Sequence, residues 1–333
     1  MYIRGEEMNF NSKNFLDQKN ILKDRNMSFY DEERAVETLS YISYYRIKEF
    51  AEPFAIRQGV ENGPEEINYN GIKFETIISR YYQDKNFRMY LLHVIEDIEV
   101  ALQTQIGYVL GDATGDYGYL DFSLWIDRTH KSNYLNRVEG EIIRNLEYQI
   151  KKNQTKELAE KLKYGKNNDY PPVWLAIEML MFGDLVKILK IMSNKNLTRI
   201  SKYFNCTNKQ LVSWMGTINL IRNISAHNSN LIDINLRTRP LIADEWKKYL
   251  HINSQQQVSN NKISIILLIV IHFMKQINSK YNFKNVNESV VKLIKNDTDA
   301  HYYGFNSQDD CIRIFPKGRY LLRKKNKKRK KRM

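Results

Sequence analysis

FETIISRYYQDKNFRMYLLHVIEDIEVALQTQI, residues 74–106, decides the fold class. Ile77, Tyr81, Leu91, Ile95, Ile98 and Leu102 recur at helical spacing, and no Gly or Pro interrupts the stretch. The pattern runs on to about Leu110, with Asp84 as the one place where a break is expected, and GDATGDYG at 111–118 reads as the loop that ends it. Upstream, Ser28 is read as an N-cap with Asp31, Glu32 and Glu33 in the turn that follows. Ala35, Leu39, Ile42 and Ile47 then carry one helical run to Pro53, and a polar loop holds Gly59, Gly63 and Pro64. Downstream, Tyr134 to Leu162 is another helix. Pro171 and Pro172 open one at Val173 and Trp174 that continues through Ile177, Leu180, Leu185 and Leu189. Thr207 or Asn208 caps a helix with Leu211, Trp214, Ile218 and Ile221 on its apolar face, and 258–277 and 286–294 supply two more. INLRTRPLI at 234–242 is the best strand candidate, and no fixed-period repeat is visible. The fold class is all-α.

Composition narrows the possible functions. The chain has 333 residues, 42% hydrophobic and 27% charged, as expected of a soluble globular protein. Two separated cysteines, Cys206 and Cys311, rule out a disulfide scaffold or zinc ribbon and fit a reducing compartment. The longest apolar run, 263–274, is too short to span a bilayer and reads as a buried helix. The acidic N-terminus shows no export signal, so a cytoplasmic location without membrane attachment is expected. The net charge is +14, of which nine charges lie in RKKNKKRKKR at 323–332, leaving +5 for the rest. That segment (Arg323, Lys324, Lys325, Lys327, Lys328, Arg329, Lys330, Lys331 and Arg332) is expected to be a disordered tail able to bind a polyanion such as RNA.

No P-loop, GxGxxG, HExxH or GxSxG is present. Glu96 and Glu99 are helical neighbours and would suit a Mg²⁺ nuclease, or simply a solvated helix face. The best chemical signal is RNISAHN at 222–228. Arg222 offers a permanent planar charge for a phosphate, His227 exchanges a proton near neutral pH, and Asn223 supplies a positioning amide. RNA carries its own nucleophile, the 2′-hydroxyl, so this set suffices for cleavage without a metal or other cofactor. On one helix Asn223 and His227 lie about 40° apart but Arg222 and His227 about 140°. Convergence needs either the long reach of Arg222 or a second copy of the motif, so the spacing hints at a composite site, which a symmetric dimer would supply. Arg88 and His93 repeat the spacing around an apolar interior and read as helix-face placement. The residues alone leave RNISAHN open between a catalytic set and a helix-end cluster.

RNISAHN, preceded by LVSWMGTINLI, resembles the "RN-x-x-AH" segment of the Abi-like (AbiD/AbiF) family of bacterial phage-resistance proteins. LSYISYYRIKEFAEPF at 39–54, the stretch at 74–106 and PPVWLAIEMLMFGDLVKIL at 171–189 are similar to further blocks of that family, in its order. The family is placed in the all-α HEPN superfamily, whose ribonucleases use Arg-x4-6-His paired across a dimer. The resemblance implies a HEPN-like helical bundle at 28–255; the residues after it fall outside the resemblance and are read as a helical extension at 256–318 and the basic tail at 319–333. The resemblance also implies metal-independent RNA cleavage that arrests infected cells, with Arg222 and His227 catalytic and Asn223 as polar companion. A homodimer and a cognate small non-coding RNA inhibitor are the partners expected from it. Gln103 departs from the pattern where a basic residue is expected after IEVAL. A non-catalytic RNA-binding or sensing module is the alternative. Trp174, Phe182 and Trp214 are read as core, the YYR at 44–46 as packing with an exposed Arg, and Glu178 as a capping or solvent residue.

Overall fold

The computed structural model describes residues 13–58, 66–152 and 170–316. Among them the fold is all-α, with one two-stranded sheet. The chain divides between Asn86 and Phe87 into two compact units.

The first unit holds α1 (Phe15–Asp24), α2 (Glu32–Tyr41), α3 (Tyr44–Ala51), the strands β1 (Ile56–Gln58) and β2 (Glu66–Asn68), and the start of α4 (Phe74–Thr114). Leu22, Leu39, Ile47, Phe50 and Ile77 form its core. Asp31, not Ser28, caps α2 by accepting the Arg34 N–H. The backbone of Ser28 is committed elsewhere, pairing with Ile72 and Phe74, and its hydroxyl donates to the Gly71 carbonyl. The expected single run to Pro53 breaks at Ile42, after which Ser43 caps α3. Within YYR, Tyr44 accepts a hydrogen bond from Arg25, Tyr45 is exposed, and Arg46 pairs with Glu49. The stretch read as a polar loop flanks an antiparallel hairpin, Arg57 opposite Ile67, whose connection with Gly59, Gly63 and Pro64 lies outside the described residues.

The second unit contains the rest of α4 and then α5 (Ser132–Lys152), α6 (Val173–Met179), α7 (Phe182–Ile191), α8 (Asn194–Tyr203), α9 (Asn208–Ala226), α10 (Ile263–Ile277), α11 (Lys284–Leu293), α12 (Asp297–Tyr302) and α13 (Gln308–Arg313). α4 runs without a break through Asp84, which is buried. α10 carries the apolar run and buries eleven residues between Ile263 and Met274. α9 packs against α7, α8 and α10 and buries Leu211, Trp214, Met215, Ile218 and Ile221. Each such large apolar side chain contributes about 1.5–3 kcal/mol on leaving water, so α9 is anchored along its length.

Three readings are corrected here. The run opened by Pro171 and Pro172 is two helices, since Leu180 and Met181 take extended conformations between α6 and α7. Residues 234–242 form no strand. Isolated backbone and side-chain bonds replace a ladder: the Leu236 N–H donates to the Asn261 carbonyl, the Leu241 N–H to Ser213, and the Leu241 carbonyl accepts the Trp214 indole at 2.8 Å. Phe182 and Trp214 are core as expected, whereas Trp174 is 50% exposed. α6 turns Val173, Ala176 and Ile177 inward; the Trp174 backbone itself passes α4 closely at Gly107, and the rest of its side chain stays half-exposed. Among the described residues no helix is long and apolar enough to cross a membrane. The helix read over 134–162 is described only as far as Lys152, and the basic residues Arg323 to Arg332 lie outside the described residues.

Candidate functional site

RNISAHN occupies the C-terminal turn of α9. The helix starts at a capping box between Thr207 and Gln210, as the Thr207 reading expected. It ends with His227 as C-cap and Asn228 in the left-handed region, φ 58°. The Ser229 N–H reaches back to the Ile224 carbonyl and the Asn228 N–H to that of Ser225, a Schellman closure with Asn where Gly is usual. The His227 N–H donates to the Asn223 carbonyl at 3.0 Å.

The three sequence-selected residues do not converge within one chain. Arg222 and Asn223 are half-buried, their side chains 3.5 Å apart, while His227 is exposed at the helix end. No hydrogen bond joins Arg222 to His227 among the described residues. Helix geometry separates their Cα atoms by about 9 Å with side chains on different faces.

A residue paired differently in the sequence reading belongs beside Arg222. Glu99 of α4 is half-buried; burial pushes its carboxyl above the usual range, the Arg222 charge opposes this and Glu96 reinforces it. Glu96 itself is exposed. Glu99 thus faces a guanidinium, and no cluster of three or more His, Cys, Asp or Glu that could hold a metal forms among the described residues.

The pair with matching spacing separates. His93 is exposed, with Nδ1 3.0 Å from the Tyr281 hydroxyl. Arg88, read as a helix-face residue, is 2% exposed and reaches the end of α9, where Nη1 donates to the Ser225 carbonyl at 3.2 Å and to Asn228 Oδ1 at 3.0 Å. A signal was present: Arg88 lies in line with Leu91, Ile95, Ile98 and Leu102, the buried stripe of α4. Gln103, the departure from the expected basic residue, donates to the backbone carbonyl of Glu178, whose side chain is exposed.

One face of α9 stays open beside this turn. Val212, Gly216, Leu220, Asn223 and His227 fall within about 80° of one another around the helix. The first three line a groove of about 730 Å³, and Leu220 is 42% exposed.

Fold and site together define an all-α protein in which an anchored central helix presents an Arg-Asn pair and a solvent-facing His at its C-terminus. The chain belongs to the Abi-like protein family, which it matches over residues 37–233, a span that takes in all of α9 and RNISAHN. Membership ties it to abortive infection, a defence against phage. No curated protein and no solved structure matches the chain.

Proposed function

We propose that this protein is a metal-independent endoribonuclease of HEPN type, acting as the toxin of an abortive-infection system and working as a homodimer. The observation that supports this best is the end of α9. A permanent cation, an amide and an exposed imidazole occupy two adjacent helical turns, yet Arg222 and His227 diverge within one chain. A second copy seated on the open face of α9 would bring the His227 of each chain toward the Arg222–Asn223 pair of the other.

In this site the 2′-hydroxyl of the RNA attacks the adjacent phosphorus. One His227 takes the 2′ proton as general base, and its counterpart gives a proton to the departing 5′-oxygen. Arg222 stabilises the charge that builds on the phosphorane, and Asn223 orients the phosphate or the imidazole. The P–O5′ bond breaks as the P–O2′ bond forms, leaving a 2′,3′-cyclic phosphate and a 5′-hydroxyl. The Arg222 charge opposes the burial that raises the Glu99 carboxyl, so the two groups are electrostatically coupled. A cognate small non-coding RNA would occupy the same cationic site as an inhibitor.

The test is incubation of purified protein with total RNA, with and without EDTA, followed by chemical analysis of the ends. Cleavage should survive EDTA, give cyclic phosphate ends, and fall about 10²- to 10⁴-fold in His227→Ala or Arg222→Ala. Ends with 3′-hydroxyl and 5′-phosphate that vanish with EDTA would reject the proposal in favour of metal-activated water. Binding of RNA without any cut would make the chain a sensing module.

A further inference from the structure

A helix leaves its last four carbonyls without helical partners, and on α9 these are the carbonyls that surround the proposed general base. Two are closed by neighbouring backbone: Asn223 accepts from His227, and Ile224 from Ser229. The Ser225 carbonyl has only a long bond from Asn228, at 3.4 Å. A guanidinium from 137 residues earlier completes it. The same Nη1 of Arg88 also holds Asn228 Oδ1, so one nitrogen bridges the residues on either side of Ala226 and His227. The negative end of the helix dipole favours a cation at this position. Burying a guanidinium to 2% exposure is costly unless it is well bonded, so its placement under an exposed surface turn is not what packing alone would favour.

We infer that Arg88 is a positioning residue for His227. Resting on the nuclease reading above, the inference assigns Arg88 the role of locking the terminal turn, so that the imidazole is presented at one fixed angle to a second chain. Arg88 touches neither substrate nor the reacting atoms; it acts through Ser225 and Asn228. Asn228 is then chosen at the left-handed position over Gly because its side chain gives the guanidinium a second acceptor.

The test uses the full chain in three variants: Arg88→Ala, Arg88→Lys and Asn228→Gly. The last keeps the left-handed backbone and lies on the exposed turn, so it retains the fold even if Arg88→Ala does not. Hydrogen exchange read residue by residue should show faster exchange at the His227, Asn228 and Ser229 amides in Arg88→Ala and Asn228→Gly, with α10 unchanged. On RNA, kcat should fall between about 10- and 100-fold with KM held, since a misplacement of about 1 Å costs that much. Arg88→Lys should recover part of the loss, because an ammonium can still donate to both oxygens, though without the planar fork. The double variant Arg88→Ala/Asn228→Gly should lose no more than Arg88→Ala alone. Unchanged exchange at 227–229, or exchange that rises equally throughout α9 and α10, would overturn the inference and make Arg88 an ordinary core residue. If the wild-type protein cuts no RNA, the nuclease reading fails, while the exchange measurement still decides whether Arg88 locks the turn.

Discussion

Mixing wild-type protein with an excess of His227→Ala should silence the wild type. Arg222 is half-buried beside Glu99, His227 is exposed one turn beyond, and about 140° of helix rotation lies between them. On the dimeric reading proposed above, a complete site needs the histidines of two chains. If chains exchange freely, the fraction of dimers with two intact histidines is the square of the wild-type fraction. Adding an equal amount of His227→Ala should leave about half of the starting activity, and a ninefold excess about a tenth. The assay is cleavage of a short fluorescent RNA after co-incubation, with exchange confirmed by a differently tagged subunit. A site complete within one chain would keep all of its activity at every ratio. Constant activity under demonstrated exchange would therefore refute the composite geometry, while single-chain activity lost in His227→Ala would leave the residue's role intact.

Four further outcomes are expected. Burial holds the Glu99 carboxyl above its ordinary value of 4.5, so the folded chain binds more protons there than the unfolded one and stability falls as pH rises from about 4.5 through the raised value. Glu99→Gln should abolish that fall in urea midpoints taken from about pH 4 to about pH 7, and parallel pH profiles for the two proteins would disprove the burial argument. Truncation after Leu322 removes the nine charges of Arg323 to Arg332, an upper bound of about −6 in the slope of log K against log salt, with about half expected because not every charge meets a phosphate at once. The slope should flatten while cleavage at saturating RNA stays constant; an unaltered slope would remove the tail from RNA binding. Gly304 has φ 86° and an added Cβ would sit 2.5 Å from Ser264 Oγ, so Gly304→Ala should cost about 2–4 kcal/mol in denaturant unfolding. In the interior of α9, Gly216 has nothing within 4 Å of an added Cβ, so Gly216→Ala should instead gain about 1 kcal/mol, and equal signs for the two would contradict the stated packing.

Most of the helices, and the motif's place on one of them, were legible from local pattern. The stripe from Ile77 to Leu102, the Thr207 cap and the apolar run at 263–274 are short-range signals, because helix pitch, capping and the transfer of apolar groups from water depend on residues within a few positions of each other. The angular divergence of Arg222 and His227 was legible for the same reason. What each polar residue faces depends on long-range packing. Arg88 and His93 share spacing and helix with opposite fates, one buried against a turn 137 residues away, the other exposed beside Tyr281. By sequence Glu99 pairs with Glu96, its neighbour on α4, yet it also lies within the field of Arg222 on α9. The breaks at Ile42 and Leu180 and the irregular course of 234–242 belong to the same class. There the chain gives up local regularity so that residues on both sides can be buried, and the partners that reward this are distant in sequence. Local periodicity says that a face is apolar; which charge is pressed against it depends on which distant helix arrives there.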